Sequence, residues 1–220
     1  MYKTEELFDL QHSIASDYLK GFEQPWEALP GIKELIPELG KTLDAGEYEE
    51  IKDRVWVHRT AKIDGNVTII GPAIIGKNSA VKHCAYIREN VIIGDDCTIG
   101  NSCEVKNAII FDNTQVPHFN YVGDSILGYH AHMGAGSIVS NLKSDGSNVT
   151  VRQGDERFET HLRKFGAMIG DFVEIGCNSV LNPGTIVGRH TNIYPLSRVR
   201  GLVPENSIYK DAEVIVEKQG

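Results

Sequence analysis

Cysteine pairs, long apolar runs and an excess of positive charge are all missing from this chain. Its 220 residues include four cysteines, Cys84, Cys97, Cys103 and Cys177, and no two form a CxxC pair. Zinc-ribbon and thioredoxin-like readings are therefore weak. No apolar stretch approaches the roughly 18 residues that a membrane span needs. The N-terminal segment MYKTEELFDL lacks the apolar centre of a signal peptide. The expectation is a soluble, cytoplasmic protein, in which Asn66-Val-Thr and Asn148-Val-Thr match the glycosylation pattern by chance. The formal net charge is −8, which argues against a general nucleic-acid footprint. An anionic ligand would need a local basic pocket set against that field.

What the chain does have is a period. From Val57 to Phe111 every sixth residue is large and apolar: Val57, Ile63, Ile69, Ile75, Val81, Ile87, Ile93, Ile99, Val105 and Phe111. A helix repeats every 3.6 residues and a simple strand every 2, so neither accounts for it. A fixed short repeat of this kind predicts a parallel β-helix. The register breaks near Pro117, returns at Leu127, Met133 and Val139, and breaks again. It resumes through Ile169, Ile175, Leu181, Val187, Ile193 and Val199. Three hexads close one triangular coil, so the blocks predict about six coils and a height on the order of 30 Å. Small residues fill the fifth places, including Cys97 and Cys103, which read as small core hydrophobes. Glycine recurs at the second place, where it is expected to relieve strain at turns.

Three segments are expected. Residues 1–50 form a helical N-terminal segment, with Leu7, Leu10, Ile14 and Leu19 at roughly helical spacing and a second short helix over Ile32–Leu39. It serves either as a cap on the first coil or as a packing segment against a neighbouring subunit. Residues 51–210 form the β-helix, with a polar loop excursion over 142–165; long loops within compact domains are usually functional. Residues 211–220 form a C-terminal tail.

Candidate chemistry sits on the rungs and at the breaks. Arg88 and Lys106 occupy second places 18 residues apart, one coil above the other. Two cations about 5 Å apart repel unless an anion lies between them. A phosphate or carboxylate ligand is one reading, and surface pairing with Glu89 or Glu104 is the other. His118 falls at the first break, in PHFNY, with Tyr121 three residues on. An imidazole there is either structural or a proton acceptor that makes a bound amine nucleophilic. Met133-Gly134-Ala135-Gly136-Ser137 offers backbone N–H groups for a thioester oxygen.

The segment EVKNAIIFDNTQVPHFNYVGDSILGYHAHMGAGSIVSN, Glu104 to Asn141, closely resembles the acetyltransferase half of bacterial bifunctional N-acetylglucosamine-1-phosphate uridyltransferase/glucosamine-1-phosphate acetyltransferase. From Asn141 through LRKFGAMIG the chain looks closer to the archaeal sugar-1-phosphate nucleotidylyltransferases that carry an acetyltransferase domain. The resemblance covers about residues 57–205. It implies an all-β, left-handed parallel β-helix assembled as a homotrimer, with active sites between subunits. It implies acetyl transfer from acetyl-CoA to the amine of a hexosamine 1-phosphate, with no nucleic-acid or membrane partner. His118 would be the general base. Arg88, Lys106, Tyr121 and His132 match substrate-binding positions, and Ala135, Asn141 and Cys177 match acetyl-CoA contacts.

The chain also departs from the pattern. No Gly-rich nucleotidyltransferase signature precedes the helix, so it is not expected to make a nucleotide sugar by itself. His132 stands where the family usually has Asn. Ser147 and Thr150 replace loop lysines of the archaeal relatives, for which Lys143, Arg152, Arg163 or Lys164 could compensate. Two other classes remain open. One is a metal enzyme like the γ-class carbonic anhydrases, using His83 and His118, although residue 123 is Gly and His130 and His132 are spaced differently. The other is a non-catalytic sugar-nucleotide sensor or scaffold.

Overall fold

The computed structural model describes residues 1–212 and 214–218. It is a mostly β parallel β-helix with a helical N-terminal segment, as expected. The first face runs from Val55–His58 up to Leu202–Val203, the second from Lys62–Ile63 to Ser207–Tyr209, and the third from Thr68–Ile69 to Arg198–Val199. Among the described residues the first two faces each carry eight parallel rungs and the third carries seven, more than the six coils expected. At about 4.8 Å per rung the prism is on the order of 35 Å tall. The hexad positions line its core, including Cys97 and Cys103 at 1% exposure.

The extra coils come from a corrected register. Ile93 pairs with Ile110, and Ile110 with Leu127, so these coils close in 17 residues. The missing residue is at the corner between the third and first faces. There the strands Glu104–Ile110 and Tyr121–Leu127 run through the bend without a loop. Asn107 and Asp124 make the bend with φ of 44° and 48°. Both residue types tolerate this left-handed region because their short side chains bond locally. The ladder therefore does not stop near Pro117; it slips by one, and Val116 and Val122 carry it. Phe111 is not a rung. It points outward and packs, tilted by 35°, with its ring centroid 5.2 Å from that of Phe8.

The second-place glycines also act differently from expectation. None of Gly76, Gly94, Gly100 or Gly128 has a positive φ. Gly100 shows what they do: a Cβ there would lie 1.6 Å from the Pro117 carbonyl oxygen in the next coil. These positions let successive coils touch, while Asn, Asp, His and others supply the left-handed turns.

The N-terminal segment covers a flank, not the open end of the first coil. Ile74, Ile92, Ile109, Ile126, Met168 and Ile186 point outward from the first face and are buried against Leu7, Phe8, Leu19, Trp26, Leu29, Ile32 and Ile36. Each such aliphatic residue contributes about 1.5–3 kcal/mol relative to exposure. The expected helix over Thr4–Leu19 is three short pieces, Thr4–Leu7, Leu10–His12 and Ser16–Leu19. Asp9 Oδ1 accepts the Gln11 N–H and Ser13 Oγ accepts the Ala15 N–H, each at 3.2 Å. Such local bonds compete with helix continuation. The second helix spans Ile32–Thr42.

The excursion after Asn141 is also ordered. Thr150–Gln153 and Glu156–Glu159 pair as an antiparallel hairpin, and Val149, Val151 and Phe165 finish covering the first face. Antiparallel strands extend the lower end of the first face and the upper end of the second: Tyr48–Lys52 against Val55–His58, and Ile215–Glu217 against Ser207–Tyr209. Each covers the edge of the last parallel rung. The latter strand lies inside the expected 211–220 tail, of which residues 213, 219 and 220 fall outside the described residues. Among the described residues no helix is long and apolar enough to cross a membrane.

Candidate active site

At the corner between the second and third faces one residue per coil takes a left-handed conformation. Cys84, Ser102, Phe119, Asn178 and Leu196 do so with φ of 53° to 61°, and Gly136 with 73°. Their N–H groups tie the coils together: Ser102 donates to His83 O, Phe119 to Asn101 O, Gly136 to His118 O, Asn178 to Ala135 O and Leu196 to Cys177 O, at 2.9–3.1 Å. His83, Asn101, His118, Ala135 and Cys177 therefore stand in one column along this edge. Ala135 lies one rung above His118, and Cys177 two, or about 5 and 10 Å.

The His118 side chain is exposed and has no hydrogen-bond partner among the described residues. Its own N–H is held by Asn120 Oδ1 at 3.0 Å, which anchors the backbone while the ring stays free. Within the Gly-rich stretch, the N–H groups of Gly134, Gly136 and Ser137 are spent on the coil at 2.7, 2.9 and 3.2 Å. That of Ala135 has no partner among the described residues. A free imidazole and a free amide N–H one rung apart form a pair that can take a proton and polarise a carbonyl.

Arg88, Lys106 and Tyr121 sit together on the third face. Arg88 lies 3.0 Å from Glu104 and 3.5 Å from Glu89, and Lys106 lies 3.8 Å from Glu89. The hydrogen bond to Glu104 holds the Arg88 guanidinium above its ordinary value. In the chain alone the two cations are thus paired with surface acids, while Arg88 Nε is buried without a partner. Asn141 donates to Tyr121 Oη at 3.2 Å and also to Asp124. Asp124 is 6% exposed and accepts from Asn107 Nδ2 at 3.0 Å. Burial first, then the carboxylates of Asp124 and Glu104, raise the Tyr121 phenol.

The sequence-derived set is thus split. Ala135 and Cys177 share the His118 edge, whereas Asn141, expected with them, belongs to the Tyr121 network at the opposite edge of the third face. His132 is apart from both. It lies on the second face, and Gln115, three residues before His118, is its rung neighbour. Three residues along a strand are about 10 Å. Its Nδ1 is 2.7 Å from Glu174 Oε2. His83 and His118 are two rungs apart with Asn101 between them. Among the described residues no three His, Cys, Asp or Glu side chains are grouped as metal ligands. Sequence reasoning missed Asp124, Asn107 and Glu174. Asn107, Asp124 and Asn141 are spaced 17 apart, a signal visible only once the coil length is known to be 17 here.

A family model described as the GMPPB C-terminal domain matches residues 69–156. The bifunctional protein GlmU of Methanococcus vannielii is 33% identical, with 97% of this chain and 55% of that protein aligned. That of Methanocaldococcus jannaschii is 34% identical, with the same coverage. A bifunctional sugar-1-phosphate nucleotidylyltransferase/acetyltransferase of Sulfurisphaera tokodaii is 33% identical over 81% of this chain and 45% of its own length. Among solved structures, a putative acetyltransferase of Bacillus cereus has a TM-score of 0.41 at 18% identity, covering 74% of this chain and 77% of its own. The chain spans about half the length of the curated relatives it matches. A third of its residues are identical to these bifunctional GlmU proteins along almost all of its length, and the chain is similar to about half of each of them.

Proposed function

We propose that this chain transfers an acetyl group from acetyl-CoA to the amine of an amino-sugar 1-phosphate. The observation that carries the reading is the corner column, in which an unpartnered His118 imidazole lies one rung below an unpartnered Ala135 N–H. The amine nitrogen attacks the thioester carbon, and a C–N bond forms as the C–S bond breaks. His118 takes the proton released by the amine and passes it to the departing sulfur. The Ala135 N–H donates to the carbonyl oxygen as negative charge builds on it. A positioned base is worth roughly 10²- to 10⁴-fold, and one such donor about 10²- to 10³-fold. Arg88 and Lys106 hold the sugar phosphate, which displaces Glu89 and Glu104 and gives the buried Arg88 Nε an acceptor. The Cys177 N–H, which has no partner among the described residues, offers the cosubstrate a second donor on the same edge.

With the first face covered by the N-terminal segment and the hairpin, the second and third faces are left for further copies. A homotrimer that lays one copy's second face near another's third face would bring the two halves of the site together, with His132 on the acceptor side. The test is release of free CoA thiol on incubation with acetyl-CoA and a panel of hexosamine phosphates. His118→Ala should lower turnover by about 100-fold or more while the fold is retained. No thiol release above background with any acceptor, or undiminished release by the variant, refutes the reading.

A further inference from the structure

Above Asn141 the third face leads into a second charged region, whose residues have no part in the transfer step proposed above. Lys106, Gly123, Ser140, Asn182 and Arg200 follow one another up this face, one rung at a time. Arg200 is therefore about 19 Å above Lys106. The hairpin is docked against this upper end. Gly184 and Gly201 have φ of 79° and 77°, and a Cβ on them would lie 2.8 and 2.7 Å from the carbonyl oxygens of Thr150 and Arg152. Only glycine permits that approach, and it sets Arg152 beside Arg200.

The charges of two other arginines bear on Arg152 there. Arg152 is directly opposite Arg157 in the hairpin, an arrangement in which like charges destabilise a sheet pair. Repulsion from Arg200 first, and Arg157 second, pulls the Arg152 guanidinium below its ordinary value. No carboxylate among the described residues forms an ion pair with Arg152, Arg157 or Arg200. Glu156 and Glu159 of the same hairpin lie opposite Gln153 and Thr150 instead. Arg152 Nε is buried without a partner. Arg200 also lines a groove of about 430 Å³ with Ser140, Thr150, Asn182 and Lys143, the last paired with Asp145 at 3.8 Å. In a chain of net charge −8, uncompensated cations held together by built-in glycines call for an anion of more than one charge.

We infer that the Arg152–Arg157–Arg200 cluster and its groove are a binding site for the diphosphate of a nucleotide. The guanidinium forks match phosphate oxygens in pairs, and a bound diphosphate removes the repulsion among them. The nucleotide comes either from the cosubstrate, as the diphosphate of CoA, or from an acceptor that carries a nucleoside diphosphate. The inference deepens the proposed function, but its test requires no turnover, so the two stand or fall separately.

The test measures binding of inorganic pyrophosphate, CoA and uridine diphosphate to the full chain by calorimetry, at low and at physiological salt. Arg152→Gln and Arg200→Gln are compared with the wild type after their folds are checked by circular dichroism. Pyrophosphate should bind in a salt-dependent way, and each substitution should weaken it tenfold or more. If CoA weakens with it and uridine diphosphate does not, the diphosphate is that of the cosubstrate. The reverse assigns it to the acceptor. In the ligand-free protein Arg157→Gln should raise the melting temperature, because it removes one of the crowded charges. Pyrophosphate that fails to bind, or binds equally well to wild type and both variants, overturns the inference.

Discussion

Replacing Asp124 with Asn removes one negative charge and changes almost nothing in shape. The left-handed backbone at 124 suits Asn as well as Asp, so no strain is added. The cost comes from hydrogen bonds. Asp124 is 6% exposed and accepts from Asn107 Nδ2 at 3.0 Å through Oδ1 and from Asn141 Nδ2 through Oδ2. An amide at 124 offers one oxygen to two donors and turns its own NH₂ toward the second. One buried donor loses its acceptor, at about 1–3 kcal/mol, and the remaining bond loses its charge assistance. Urea denaturation should therefore show a loss of about 2–4 kcal/mol. The phenol of Tyr121 supplies a second readout. Asp124 is the first of the charges that raise it, after burial, so the substitution should let Tyr121 ionise at lower pH in an ultraviolet titration. The raised native value means that the folded chain keeps a proton that the unfolded tyrosine sheds near pH 10. Wild-type stability should fall as pH rises above about 10, and in the variant this dependence should be weaker. Under the proposed function Asp124 acts through Tyr121 and Asn141, so KM for the acceptor should rise more than kcat falls. A stability change below about 0.5 kcal/mol, with an unmoved Tyr121 titration, would refute the argument.

Two further outcomes test the fold. Phe111→Ala should cost about 3–5 kcal/mol in denaturant unfolding, because a fully buried ring against Phe8 is lost, yet leave turnover nearly intact, since Phe111 faces the N-terminal segment and not the core. Burial pushes the Cys97 thiol up to about 12 and raises that of Cys103, whereas Cys84 and Cys177 are exposed. A maleimide at pH 7.5 should therefore label Cys84 and Cys177 alone in the native chain, as read by mass spectrometry, and all four after denaturation.

The hexad ladder made the fold class legible because an aliphatic residue on every face of a narrow prism cannot be replaced without a void. Its errors were errors of counting. Phe111 fits a sixth-residue spacing by coincidence, and the true rung, Ile110, sits one position earlier. Nothing in a period of six signals a corner turned with one residue fewer; the asparagine and aspartate that make that turn are also common in ordinary loops. The flank cover was hidden for a different reason. Ile74, Ile92 and Ile109 make their strands apolar on both sides, but only the structure shows which part of the chain lies on the outer side. The His118 column was legible only through the family resemblance, because Ala135 follows His118 by 17 residues instead of 18 and Cys177 lies beyond the excursion. The pairing of His132 with Glu174 was not legible, because the two are 42 positions apart across the excursion.

The corner between the third and first faces connects these observations. The shortened turns at Asn107 and Asp124, the departure of the excursion after Asn141, and the docking glycines Gly184 and Gly201 all lie along it. A regular hexad coil presents the same surface at every rung and so has no place for a unique ligand. By dropping one residue twice, the chain draws Asn107, Asp124 and Asn141 into a hydrogen-bonded line that fixes Tyr121. By inserting the hairpin one coil later, it covers the first face and carries Arg152 over to Arg200. The opposite edge keeps its regular left-handed turns, and there regularity is what stacks Ala135 and Cys177 above His118. On this reading the irregular edge selects the ligand's anionic groups, and the regular edge positions the reacting carbonyl.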